Sequence, residues 1–398
     1  MSNTLTNLLP RFVATALDVL REQATYARLV QKDGKENMPA NQGETINFPL
    51  PPEPDPTGAD VTDVTPANVP PQAGATTVTT TPLQLSKWKK ADFDLTLKQQ
   101  AEIADSANYV ESMIKTKTRV LANYINKDIA ALYKYVPSIS GAVPGSSATP
   151  FASDLKAANA AFARANLQLT PLDQRSLIID FSAEADAKNV QGFSSALEAG
   201  DNGQIKIAGK IGHKFGMDWY GENAVPVHTA GAGSGYVADG AQGNAAGAGP
   251  LQSILVKTGT GALVVGDILT IAGDTATTGT QVVTAAYTGG AGTIAIFPGI
   301  PAGTTIADLA TVTKLASHRV GLLFHPWAFG AAFRALPSIA QGNPEHMRQS
   351  ITDPVTGLAL ALDVQYQYNQ WRWEVSALYG VAALRPQLAV RIPGGNLT

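Results

Sequence analysis

Between Glu36 and Ser86 the chain carries ten prolines and not one lysine or arginine. Proline fixes φ and has no N–H to donate, so no helix can run through this stretch. Its two ends nonetheless read as strands. Thr45-Ile-Asn-Phe48 leads out, while Thr76-Thr-Val-Thr-Thr-Thr81 and Leu83-Gln-Leu85 lead back, and Thr and Val favour extended backbone. The pattern predicts a long two-stranded excursion with a proline-rich tip. An isolated pair of strands is marginal in water. This one also carries six carboxylates, Glu36, Glu44, Glu53, Asp55, Asp60 and Asp63. It makes most physical sense lying on another subunit; the alternative is a disordered linker.

The rest of the composition is that of a folded protein. Of 398 residues 44% are hydrophobic and 15% charged, enough apolar surface for a sizeable core. The absence of cysteine rules out disulfides, thiolate ligands and cysteine nucleophiles. A net charge of -3 gives no support for a protein that grips nucleic acid along its length. No basic residue precedes Arg11, so the N-terminus does not read as a secretory signal. The most apolar run, Val320 to Leu336, is broken by His325, Pro326 and Arg334 and is too short for a bilayer. The expectation is a soluble protein that stays in the cell or leaves it by lysis.

Residues 8–29 have Leu9, Phe12, Val13, Ala16, Leu17 and Leu20 at helical steps. This is either a core helix or an arm that packs on a neighbour. A long helix is predicted from about Ala104 to Tyr135, stopped by Pro137, Ser138 and Gly141. A shorter one follows at 153–166, then a strand at 176–181, a helix at 183–190 and a strand and turn at 203–212. From 229 to 315 the chain becomes rich in Gly, Ala and Thr and poor in charge. Strand candidates recur at 253–258, 262–272, 280–287, 293–297 and 310–315, the pattern of a small barrel or sandwich. Its Gly/Ala border at 229–249 suggests an insertion. After a helix predicted to end at Leu336, residues 358–369 alternate with a period of two, giving one apolar and one mixed face.

Nothing in this order carries catalytic chemistry. His213, His228, His318, His325 and His346 show no tight ligand spacing, and His228 and His325 adjoin apolar runs where a structural role is expected. Gly203 to Ile211 only glances at a phosphate loop: the spacing is one residue too long, and Ile211 stands where a hydroxyl should hold magnesium. No GxSxG elbow is present. Asp180 and Glu184 form a carboxylate pair of the kind any chain of this size contains.

Taken in order, an N-terminal arm, an extended loop, a long helix, a mixed body and a closing β segment resemble the major capsid proteins of tailed double-stranded-DNA bacteriophages. The resemblance is to the branch with a β-barrel insertion domain. It rests on Ala104-Asp-Ser-Ala-Asn-Tyr109, Leu263-Val-Val-Gly-Asp-Ile-Leu-Thr-Ile-Ala-Gly273, Leu378-Tyr-Gly-Val381 and Arg385-Pro386, and above all on their order along nearly the whole chain. It implies an α+β capsid fold: an arm at 1–35, the extended loop at 36–86, and a peripheral domain with a spine helix at 87–181 and 351–398. An axial domain would occupy 182–228 and 316–350, with an all-β barrel insertion at 229–315.

The resemblance further implies a non-enzymatic shell of pentamers and hexamers with no cofactor or metal, found in the virion and assembled in the host cytoplasm. Its implied partners are a separate scaffolding protein, a portal protein and packaged DNA held by weak, non-specific contacts, with no membrane. The candidate interface residues are Phe12, Leu17, Phe48, Glu53, Asp55, Asp60, Asp63, Trp88, Lys89 and Lys90. Two other readings stay open: the shell of a cellular nanocompartment, and a β-rich cell-surface or carbohydrate-binding module. Some members of the family cross-link the extended loop through a lysine, and this loop has none between Lys35 and Lys87. Mass spectrometry of mature particles is therefore expected to find no isopeptide-linked chains, and an intact subunit near the 41.5 kDa of the whole chain.

Overall fold

The structure is a computed structural model. It describes residues 5–35, 38–50, 79–103, 106–140, 174–189, 211–214, 216–245, 249–274, 280–336, 346–353 and 356–394. The chain forms two compact units, Met1–Ile129 with Phe329–Leu384, and Ala130–Ala328 with Arg385–Thr398.

In the first unit, helix α1 (Leu5–Gln23) breaks at Ala24 and resumes as α2 (Thr25–Leu29), so the single helix expected over 8–29 is two. The predicted apolar stripe is buried from Leu9 to Leu20, as a core helix requires. Strands β1 (Thr45–Leu50) and β2 (Thr79–Gln84) pair antiparallel, Thr45 opposite Gln84 and Leu50 opposite Thr79. The two-stranded excursion is therefore present at its base. The chain continues through β3 (Lys87–Thr96), α3 (Leu97–Glu102), capped by Thr96 with Gln99, and α4 (Ser106–Ala130). At 25 residues, α4 is about 37 Å long.

The sheet of this unit is built on one strand. Strands β16 (Phe329–Arg334), β17 (His346–Thr352), β18 (Ala359–Gln367) and β19 (Gln370–Ala383) run in the order β16-β19-β18-β17, and β3 pairs along the other side of β19. The helix expected to end at Leu336 is thus a strand. Its alanines favour helix locally, but the residues Phe329 to Arg334 find a complete ladder on β19, and Gln31 bridges to Gly330. Pairing across the sheet overrides propensity. The β18–β19 turn puts Tyr368 and Asn369 at φ of 48° and 60°, the left-handed pair that a tight hairpin needs. A Cβ at Gly380 would collide with the Gln84 carbonyl, so glycine in the Leu378-Tyr-Gly-Val381 motif is what lets β2 dock on β19. The alternation over 358–369 was expected to leave one face mixed. Instead Leu358 to Val364 are buried throughout, Asp363 included; Arg348 donates to Asp363 at 2.6 Å.

The second unit holds a seven-stranded sheet and a closed barrel. The sheet comprises β4 (Ser138–Ile139), β5 (Ser176–Ile179), β6 (His213–Lys214), β7 (Met217–Gly221), β8 (Val227–His228), β15 (His318–Phe324) and β20 (Ala389–Pro393). Helix α5 (Phe181–Asn189) packs Ala183 and Ala187 against Leu177, Met217, Trp219 and Val390. Because β15 pairs β5 on one side and β20 on the other, residues 176–179 and 389–393 belong to this unit. The expected peripheral domain grouped them with the long helix.

The barrel consists of β9 (Ser234–Ala238), β10 (Leu251–Thr260), β11 (Ile268–Ile271), β12 (Gln281–Val283), β13 (Gly292–Ile300) and β14 (Thr311–Lys314), closed in the order β10-β13-β12-β11-β14-β9. Its interior is mainly aliphatic, with Ile254, Val256, Leu269, Val283, Ile294 and Ile296 all nearly inaccessible and the Tyr236 ring beside them. Closure removes every free edge. Strand β9 lies in the border read from sequence as linker. The chain enters the barrel from β8 and leaves it into β15, and these two strands pair, His228 opposite His318. An insertion whose ends meet in one antiparallel contact leaves its host sheet undisturbed. The helix predicted at 153–166 and most of the strand predicted at 203–212 lie outside the described residues.

Arg334 and Asp33 form a buried two-pronged ion pair that holds the segment after α2 to β16, one prong at 3.0 Å. Removing one partner strands a charge in a site that excludes water. Asp33→Ala is expected to lower the unfolding free energy by about 3–5 kcal/mol in urea denaturation, far more than Asp18→Ala, whose carboxylate is exposed.

Candidate functional site

Two places in the fold bear on function: the outward face of β3 in the first unit, and the root of the barrel in the second.

Strand β3 alternates. Phe93 and Leu95 point inward, Phe93 stacking on Trp373 at 6.3 Å between ring centroids. On the same side Lys87 pairs with Asp128 of α4 at 3.0 Å, and Lys89 sits over the ring of Tyr124, 5.4 Å from its centroid. The outward side carries Trp88 and a ladder of charges. Lys90 bonds Glu374 at 2.8 Å, and Arg372 bonds Asp94 at 3.0 Å. These pairs are exposed and each contributes about 0–1 kcal/mol. Asp128 also accepts from Tyr379 Oη at 2.5 Å; burial, then this bond to the carboxylate, holds the Tyr379 phenol far above its ordinary value.

The predicted interface residues therefore separate. Phe12 and Leu17 are buried on α1, Phe12 packing edge-on against Trp373 at 5.6 Å, and Phe48 is buried on β1. All three serve the chain's own core. Trp88 is 44% exposed, and Lys89 and Lys90 are exposed beside it. Glu53, Asp55, Asp60 and Asp63 lie outside the described residues. By elimination, four cations could receive the acidic loop: Lys87, Lys89 and Lys90 at its base and the more distant Arg348. Lys87, Lys90 and Arg348 already hold carboxylates of their own chain; Lys89 faces an aromatic ring instead.

The barrel root is a buried polar cluster that sequence reading did not find. Tyr133, in the 3-10 turn Ala131–Tyr135 after α4, places its hydroxyl 3.2 Å from His228 Nδ1. His228 Nε2 lies 2.9 Å from Asp267 Oδ1. With the ring neutral, Tyr133 donates to Nδ1 and Nε2–H donates to the carboxylate. Asp267 also accepts from the backbone N–H of Val264 at 2.8 Å and of Gly231 at 3.2 Å. Arg391 of β20, wholly inaccessible, donates to the Gly266 carbonyl at 2.8 Å and lies 5.1 Å from the Tyr133 ring centroid. The His318 ring is 5.4 Å from that of His228, and its Nδ1 donates to the Ala316 carbonyl at 2.9 Å. His228 lies 39 residues from Asp267 and 95 from Tyr133 in sequence, so no local signal marks the cluster; only the return of the chain from the barrel brings His318 to it.

Burial governs the protonation of this cluster. It pushes Arg391 down to about 9, partly countered by Tyr133 and Asp267, so the guanidinium keeps its charge at neutral pH. Burial also raises the Tyr133 phenol. For Asp267 burial acts upward, but the bonds from His228, Val264 and Gly231 outweigh it and its carboxyl is held below the usual range. His318 is lowered from 6.5 to about 4, first by burial and then by the nearby Arg391 and His228, against the upward pull of its bond to Ala316. Among the described residues no group of three or more His, Cys, Asp or Glu is placed to hold a metal ion, and no helix is long and apolar enough to cross a membrane.

No protein-family model and no curated protein matches the chain. Solved structures to which the chain is similar include a chain from Mycobacterium phage Che8, at 14% identity, covering 93% of this chain and 91% of that one, with a TM-score of 0.47. The capsid structure of cyanophage P-SCSP1u follows at 11% identity, 92% and 87% coverage and a TM-score of 0.44. The mature capsid of bacteriophage PhiM1 matches at 10% identity, 92% and 88% coverage and a TM-score of 0.43.

The His318 shift sets a direction for acid stability. In the unfolded chain the ring takes up a proton below about 6.5, whereas the folded ring stays neutral until about 4. Stability is therefore expected to fall as pH drops from 6.5 to 4, by roughly 3 kcal/mol, and His318→Gln should flatten that part of a urea-unfolding pH profile.

Proposed function

We infer that this chain is a structural subunit, the major capsid protein of a tailed double-stranded-DNA bacteriophage, which assembles with copies of itself into an icosahedral shell around the genome. One observation carries the reading: a closed six-stranded barrel rooted between two paired strands of a sheet, downstream of a docked two-stranded extension and a long helix. That is the order of parts the sequence resemblance implies, and it calls for no catalytic centre. In this reading α4 is the spine helix. The strands β1 and β2 are the base of the extended loop, and the acidic residues beyond Leu50 reach a neighbouring subunit.

Trp88 and Lys89 are the favoured contact residues at the base of that loop. Trp88 exposes a large apolar side chain, and Lys89 is the cation of the four whose charge no carboxylate of the described chain offsets. A separate scaffolding protein, a portal protein and weak contact with DNA complete the assembly. A nanocompartment shell is the second reading; the inserted barrel and the extended loop favour the virus.

Negative-stain microscopy of the protein expressed with and without its neighbouring genes tests this. Uniform closed shells containing nucleic acid are expected with those genes; a strictly monomeric protein under every condition would refute both shell readings. Lys89→Glu should cut the yield of shells several-fold at low salt, and added salt should no longer lower it, because a weak screened attraction repeated at every subunit has become a screened repulsion. Lys90→Glu should mainly disturb the ladder with Glu374.

A further inference from the structure

The barrel root combines features that a merely structural cluster does not need. Arg391 and His318 are both inaccessible, and among the described residues Arg391 Nε, Arg391 Nη2 and His318 Nε2 have no hydrogen-bond partner. Since His318 Nδ1 donates to Ala316, Nε2 of the neutral ring is an acceptor. Protonation turns it into a donor. The site would then hold three unpartnered donor positions and two cations, with Asp267 as the one carboxylate.

Every element packed here contributes a group that faces His318 or its neighbours. His228 comes from β8, Asp267 from the turn before β11, Arg391 from β20 and Tyr133 from the 3-10 turn, where Lys134 packs its stem over Gly266. Asp267 is already committed to His228 and to two backbone N–H groups, so it has little capacity left for a second cation. Tyr236 is the titratable side chain of the barrel core, and burial raises its phenol, so it stays neutral in acid. Acid therefore acts on the root and leaves the barrel's own packing alone.

We propose that this cluster is an acid-released latch: protonation of His318 opens the contact between the barrel and its sheet while the barrel itself stays folded. The mechanism is local opening driven by a buried group that water can accept in charged form and the closed site cannot. It is independent of what the chain assembles into.

Amide hydrogen exchange of the full-length chain, corrected for the intrinsic pH dependence, tests it. The reporters are Gly231 and Val264, whose N–H groups bond Asp267, against Ile254 and Ile294 inside the barrel. Between pH 7.5 and 5 the reporters should lose about 30-fold in protection, the factor set by a ring that titrates near 4 when closed and near 6.5 when open, while Ile254 and Ile294 stay protected. His318→Gln should abolish the acid loss, and Asp267→Asn should open the root already at pH 7.5. Unchanged protection of Gly231 and Val264 in the unmodified chain at pH 5 would overturn the latch, as would simultaneous loss at Ile254 and Ile294. Should His318→Gln fail to fold, the unmodified chain still decides: its His318 ring resonances must titrate together with the loss of protection.

Discussion

An inserted domain imposes one requirement on its host: the chain must leave and return at nearly the same point. Here the requirement is met by the pairing of β8 with β15, His228 opposite His318, and the polar cluster around Asp267 and Arg391 is built on that contact. The barrel closes on itself and is filled mainly with aliphatic side chains, so its core packing is its own and its root is what places it on the sheet. Arg391 reaches the Gly266 carbonyl from β20, which joins the closing strand of the chain to the first tight turn of the barrel. A buried charge such as Arg391 is a poor source of net stability, because desolvation offsets much of its attraction to nearby groups. It is a good source of orientation, since its partners accept few alternative geometries.

The first unit depends on a different constraint, the fourteen residues of β19. Strand β3 runs along one side and β18 followed by β16 along the other, and the missing side chain of Gly380 admits the Gln84 backbone. Charges are then placed by register. Lys87 meets Asp128, Lys90 meets Glu374 and Arg372 meets Asp94. Among the described residues Lys87 and Lys90 are paired inside the chain, whereas Trp88 is exposed and Lys89 faces the Tyr124 ring.

Much of this was legible in the sequence where the signal is periodic or local. The apolar stripe from Leu9 to Leu20, the long helix near 106–130, the strands at 45–50 and 79–84, and the barrel strands other than β9 carry their pattern in consecutive residues. Failures came where propensity and pairing disagree. Phe329 to Arg334 look helical and form a strand because β19 offers a ladder. Ser234 to Ala238 look like a glycine-rich linker and form a strand because Tyr236 and Ala238 are buried in the barrel. The candidate contact residues split on the same ground: Phe12, Leu17 and Phe48 are apolar in the way both cores and interfaces are, and only burial tells the two apart.

By itself, then, the sequence determined the kinds of element, the order in which they occur, the exclusion of thiol chemistry and the acidic, lysine-free character of the extended segment. Those follow from backbone propensity, periodicity and residue chemistry, which act over a few neighbouring positions. The tertiary structure decided which cations near the loop base pair with carboxylates of the described chain, which strands share a sheet, and that two histidines, a tyrosine, an aspartate and an arginine spread from Tyr133 to Arg391 meet at the barrel root. Each of those depends on contacts between residues far apart in the chain, and electrostatic and desolvation effects act through that proximity alone.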